Sequence, residues 1–121
     1  RNHSSAASDV YKRQERGLFE STAIMVAGEF GRTPQINVQG GRDHWARAMF
    51  ALMAGGDIRG GQVIGETDAK AAEPKNESVS PEDLAASFFQ NIGIDPKMEF
   101  QANVGRPITL VRDGNPIGRL F

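Results

Sequence analysis

The stretch GGRDHW, residues 40–45, sets four chemically able side chains next to one another. Asp43 offers a carboxylate oxygen and His44 an imidazole nitrogen, both suitable ligands for a divalent cation. Arg42 offers a planar fork that matches an oxyanion such as phosphate or sulfate two bonds at a time. Gly40 and Gly41 let the backbone approach a ligand closely, and Trp45 can wall a site. The competing reading makes His44 an ordinary hydrogen-bonded histidine and Trp45 a core residue. Upstream, Glu29 follows directly on an apolar run. A carboxylate at the end of a strand can bind a metal or act as a general base; the alternative pairs it with Arg32 or uses it to cap a turn. Asp68, in GETD at 65–68, and Arg32 are the residues expected to brace these ligands from behind. For Asp68 the rival role is an Asx turn that caps its own loop.

Other chemistries lack their signatures. No serine sits in a GxSxG elbow, and no GxxxxGK[ST] phosphate cradle occurs. The chain has no cysteine, which excludes disulfides and thiolate metal sites. Its net charge is −1, with no Lys/Arg cluster of the kind a phosphate backbone requires, so no nucleic-acid partner is expected. No apolar run approaches the roughly 18 residues of a membrane-spanning helix.

The elements that must position these groups can be read from the pattern. Residues 22–28, TAIMVAG, form a short continuous apolar run that suits a buried parallel strand. Residues 28–45 read as a long loop, a length usually associated with function. Residues 47–56 read as a second buried strand, with a helix as the rival, and 62–64 as a brief third. Residues 70–79 are a polar surface excursion. The clearest helix starts at Ser80, with Pro81 in the first turn, Glu82 and Asp83 near its positive end, and a stripe at Leu84, Phe88 and Ile92. Gly93 ends it. RDGN at 112–115, between two short apolar runs, reads as a hairpin turn, and the methionines at 25, 49 and 53 read as core. Helix, buried strand, loop, buried strand and helix together predict an α/β fold with a mostly parallel sheet, whose ligands collect at the carboxyl ends of the strands.

The front of the chain differs in character. Residues 4–14 read SSAASDVYKRQ, which resembles in translation an adapter used in transposase-based sequencing libraries. Residues 1–14 are therefore expected to be an adapter-derived artefact without order, with the natural protein extending upstream. Setting them aside leaves His44 as the remaining histidine.

Five motifs, GEFGRTPQIN, GGRDHW, MAGGDIRGGQVIGETD, SPEDLAASFFQNIGIDP and GRPITL…GNPIGRLF, occur in an order that resembles the C-terminal part of bacterial domain-of-unknown-function family 1501. The resemblance covers nearly all of 15–121. That family looks like a relative of the alkaline phosphatase and sulfatase superfamily. The resemblance implies that 15–121 is the C-terminal part of a single α/β hydrolase-like domain, a sandwich around a mostly parallel sheet. It further implies an exported protein, periplasmic or extracellular, acting on a small-molecule or polysaccharide ester with a divalent metal such as zinc, calcium or magnesium. Where the superfamily carries a metal-binding Asp-His pair, this chain reads Glu29-Phe30, so Glu29 can replace one ligand and Phe30 loses the other. His44 is the residue that matches a later metal-binding histidine. The nucleophile is expected upstream, so 15–121 alone is expected to be inactive; the alternative is a non-catalytic binding or surface protein on the same fold.

Overall fold

The computed structural model describes residues 5–102 and 105–121. Two helices, α1 (Ser5–Glu15) and α2 (Pro81–Asn91), accompany eight short strands. These are β1 (Ile24–Ala27), β2 (Gly31–Arg32), β3 (His44–Trp45), β4 (Ala51–Ala54), β5 (Glu66–Thr67), β6 (Pro74–Asn76), β7 (Glu99–Gln101) and β8 (Pro107–Thr109). A 3-10 turn, Gly118–Leu120, lies near the C-terminus.

The strands do not assemble into one sheet. They pair two by two: β1 with β4, β2 with β3, β5 with β6, and β7 with β8. The last three pairs are antiparallel. This overturns the expected α/β sandwich with a mostly parallel sheet. Parallel strands need long crossovers and cover on both faces, whereas β1 alternates between half-buried and exposed positions, with Met25 43% exposed. The apolar run at 22–28 is therefore a half-covered strand. Residues 62–64 form no strand, and Val63 is 85% exposed. The strand lies just beyond, at β5, and pairs with β6 inside the stretch expected to be a surface excursion. Met25 and Met49 are exposed rather than core.

The expected hairpin also moves. β7 and β8 pair in the register Glu99↔Thr109, Phe100↔Ile108 and Gln101↔Pro107, so the reversal precedes RDGN. At the other end of the chain, residues expected to lack order include α1. The stretch contains no glycine or proline, and its alanines and its closing Lys-Arg-Gln-Glu favour a helix, offsetting the weaker Ser, Asp, Val and Tyr.

The chain divides into two compact units. One comprises the described residues up to Ile24 with Met53–Gly61 and Val79–Phe121; the other comprises Met25–Leu52 and Gln62–Ser78. The first holds the buried core: Ala86, Ser87, Val111 and Leu120. Its organiser is α2. Ser80 caps the helix by accepting from Asp83 N at 3.0 Å, and Asp83 Oδ2 accepts from Ser80 N at 3.0 Å, a reciprocal capping box. Gly93, at φ +77°, closes the other end with Gly93 N donating to Gln90 O and Ile94 N to Phe89 O.

The helix does not bury the expected stripe. Its fully buried face is Ala86 and Ser87, while Ile92 is 45% exposed. Ser87 Oγ donates to Asp83 O at 2.7 Å and accepts from Ile117 N at 2.9 Å. Asp83 Oδ1 accepts from Asn115 N at 2.8 Å, and Lys97 Nζ donates to Gly114 O at 2.7 Å. The C-terminal segment is thus clamped to α2 by polar groups rather than by a wide apolar seam.

Candidate ligand groove

Between β2 and β3, residues 33–43 form a loop that hydrogen-bonds to itself. Thr33 N donates to Asp43 O at 3.0 Å, and Asp43 N donates to Thr33 Oγ1 at 3.1 Å, closing the base. Asn37 is the hub of the interior. Its Oδ1 accepts from Gln39 N at 3.0 Å and Gly41 N at 2.9 Å, and its Nδ2 donates to Asp43 Oδ1 at 2.9 Å. An asparagine side chain that replaces backbone partners in this way removes the need for regular structure. Arg42 completes the frame: its Nη1 donates to Thr33 O at 2.7 Å and also to Pro34 O.

A second wall comes from the turn joining β5 and β6. Asp68 Oδ1 accepts from Ala72 N at 2.7 Å and Lys70 N at 3.2 Å. These bonds hold Ala71 at φ +55°, a conformation a non-glycine residue adopts only at some cost. The N–H of Ala72 is the main reason the Asp68 carboxyl titrates below its ordinary value; those of Lys70 and Glu73 act in the same direction. Trp45 ties the two walls, its Nε1 donating to Ala72 O at 2.6 Å. Arg47 lies over the indole at 5.5 Å and forms an ion pair with Glu73.

Loop, turn and tryptophan enclose an open groove of about 700 Å³. The loop contributes Thr33, Pro34, Gln35, Ile36, Asn37 and Asp43; the turn contributes Lys70 and Ala72, and Trp45 joins them. Its surface is mainly apolar with a few polar groups, the composition usual for small-molecule sites.

The residues singled out from sequence are placed as follows. Asp43 lines the groove, but its Oδ1 is engaged by Asn37. Arg42 turns its guanidinium onto two loop carbonyls. His44 stacks on Phe30, ring centroids 3.8 Å apart. Arg32 lies over Phe30 at 5.6 Å and donates to Arg42 O at 3.3 Å. Glu29 is exposed, and its side chain has no hydrogen-bond or ion-pair partner among the described residues. Asp68 caps its own turn. Among the described residues no three His, Cys, Asp or Glu side chains converge on a position able to hold a metal ion. Asp43 lines the groove, whereas Glu29 and His44 are not among its lining residues. Thr33, Gln35, Asn37 and Lys70 are the polar groove residues that sequence reasoning passed over; an asparagine four residues before a glycine pair's second member was the available signal for the loop hub.

If Asn37 is the hub, Asn37→Ala removes three hydrogen bonds at once. Each is worth about 0.5–1.5 kcal/mol net. The amides of Gln39 and Gly41 should lose hydrogen-exchange protection by about tenfold or more, while global stability falls by about 1.5 kcal/mol or more. Unchanged exchange at both amides would show that the loop is held by something else.

The described residues form short, mostly antiparallel strand pairs and two helices, with a preformed concave surface on one of the two units. Residues 12–121 match the family described as a protein of unknown function, DUF1501, and the chain belongs to that family. No curated protein and no solved structure matches it. No helix among the described residues is long and apolar enough to cross a membrane.

Proposed function

We propose that this chain serves as a ligand-binding portion of a DUF1501 protein, presenting the groove around Trp45 to a ring-bearing small molecule. The observation that carries this reading is the preformed wall structure: Asn37, Arg42 and Asp68 hold both walls through internal bonds that need no ligand. A rigid site loses little entropy on binding, so modest contacts suffice. Hydrolysis of phosphate or sulfate esters, with a divalent metal, remains the activity proposed for a longer family member on the strength of its resemblance to the phosphatase and sulfatase superfamily. It then needs a nucleophile and metal ligands besides Glu29, Asp43 and His44.

Trp45 is the single tryptophan, so its indole N–H gives one assignable resonance beside the groove. Titration with phenyl phosphate, phenyl sulfate and a neutral phenyl glucoside should shift that resonance saturably for at least one compound. The chain alone should not hydrolyse the two anionic esters, with or without zinc, calcium or magnesium. An unmoved indole resonance throughout would overturn the binding reading; metal-dependent turnover would overturn the separation of binding from chemistry.

A further inference from the structure

The groove carries two opposite charges that leave each other alone. Lys70 makes no hydrogen bond or close ion pair through its ammonium among the described residues, although its charge helps draw down the Asp68 carboxyl nearby, and Asp43 keeps Oδ2 free after Oδ1 has accepted from Asn37. The lining also includes Trp45, Pro34 and Ile36. The indole N–H is already spent on Ala72 O, so Trp45 offers a ligand ring surface and no hydrogen bond. A purely anionic ligand would leave Asp43 as a repulsive neighbour, and a purely cationic one would leave Lys70 so. A neutral apolar ligand would strip water from both charges without replacement.

We infer that the groove selects a dipolar ligand: an apolar ring or chain carrying both an anionic group, met by Lys70, and a cationic donor such as an ammonium, met by Asp43 Oδ2. Free amino acids with aromatic or aliphatic side chains belong to this class. The inference rests on the binding reading above and adds the charge pattern of the ligand. Exposed charge pairs contribute modestly, so each match should improve affinity by about threefold to fivefold.

Phenylalanine, N-acetylphenylalanine, phenylalaninamide and N-acetylphenylalaninamide present the same ring with both charges, the anion alone, the cation alone and neither. Chemical-shift titration of the Trp45 indole N–H should rank phenylalanine first and the neutral compound last, about tenfold or more apart. Lys70→Gln should erase the preference for phenylalanine over phenylalaninamide. Asp43→Asn, whose side-chain oxygen can still accept from Asn37, should erase the preference over N-acetylphenylalanine. Equal binding of all four compounds would overturn the dipolar selection while leaving the groove a binding site. Failure of all four, and of the phenyl compounds tested above, to move the resonance would overturn both.

Discussion

Gly55→Ala is expected to unfold much of the unit built around α2. Gly55 is buried and sits at φ +76°, in the left-handed region. A Cβ there would press on the carbonyl oxygens of Thr22 and Phe19, both backbone atoms that cannot swing aside. Phe19 O is already in use, accepting from Gly56 N at 3.1 Å. The next residues are held from the other side, with Asn91 Nδ2 donating to Gly55 O at 3.1 Å and Asn91 Oδ1 accepting from Asp57 N at 2.9 Å. Left-handed backbone costs an alanine about 1–2 kcal/mol, and forcing a methyl group into filled space adds about 1–3 kcal/mol. Together these approach the whole stability of a small domain, about 5 kcal/mol at the lower end. The urea midpoint should fall accordingly, with the slope of the transition unchanged. Gly61→Ala is the matched comparison: φ is +77°, and no heavy atom lies within 4 Å of the added Cβ. It should cost only the backbone share, about 1–2 kcal/mol. Equal losses for the two variants would mean that the corner at Gly55 is not packed as described.

What could be read from the sequence follows the range of the interaction that fixes it. The start of α2 was legible because its determinants are local: Ser80, Pro81, Glu82 and Asp83 lie within one turn and announce a cap by type and spacing. Its stop was legible for the same reason, through Gly93. The face it buries was not. Leu84, Phe88 and Ile92 have the helical period, yet the segment that packs on α2 meets Ala86 and Ser87 and binds through hydrogen bonds. A hydropathy stripe is blind to a polar clamp.

The strands failed for a related reason. A run such as residues 22–28 signals burial only if enough elements exist to cover both faces, and here β1 has one strand neighbour. RDGN has the composition of a hairpin turn, but Lys97 and Asp83 take up its own last two residues, Gly114 and Asn115, instead. In the groove, Asp43 and Trp45 were visible as residue types. Lys70 was hidden in a charged stretch whose contribution depends on how β5 and β6 pair, a register no local pattern specifies. Asp68 takes the Asx-turn role, its Oδ1 accepting from two N–H groups of its own turn.

Asp83 should make the stability of the α2 unit sensitive to acid. Its two carboxylate oxygens serve different ends of the chain: Oδ2 closes the capping box on Ser80, and Oδ1 holds Asn115. The Asn115 N–H is the largest influence drawing its carboxyl below the ordinary value; the Ser80 N–H and hydroxyl follow, and Lys97 adds a smaller electrostatic pull. A carboxyl depressed in the folded chain stabilises fully above its unfolded value, here 3.8, and that contribution disappears as pH falls through the lower folded value. Asp83→Ala keeps the Ser80 hydroxyl's bond to the backbone N–H of residue 83 but loses the reciprocal half of the capping box and the bond to Asn115 N, charge-assisted bonds worth about 1.5–3 kcal/mol each before solvent screening. Asp83→Asn is nearly as damaging, because one oxygen becomes an NH₂ group facing a donor. At pH 7 each variant should unfold at lower urea than the wild type by the equivalent of about 2–3 kcal/mol. Well below pH 4 the wild type loses the same interactions, so its advantage should shrink toward zero. A deficit that stays constant from pH 7 into that acid range would show that the carboxylate charge contributes nothing to holding the C-terminal segment on α2.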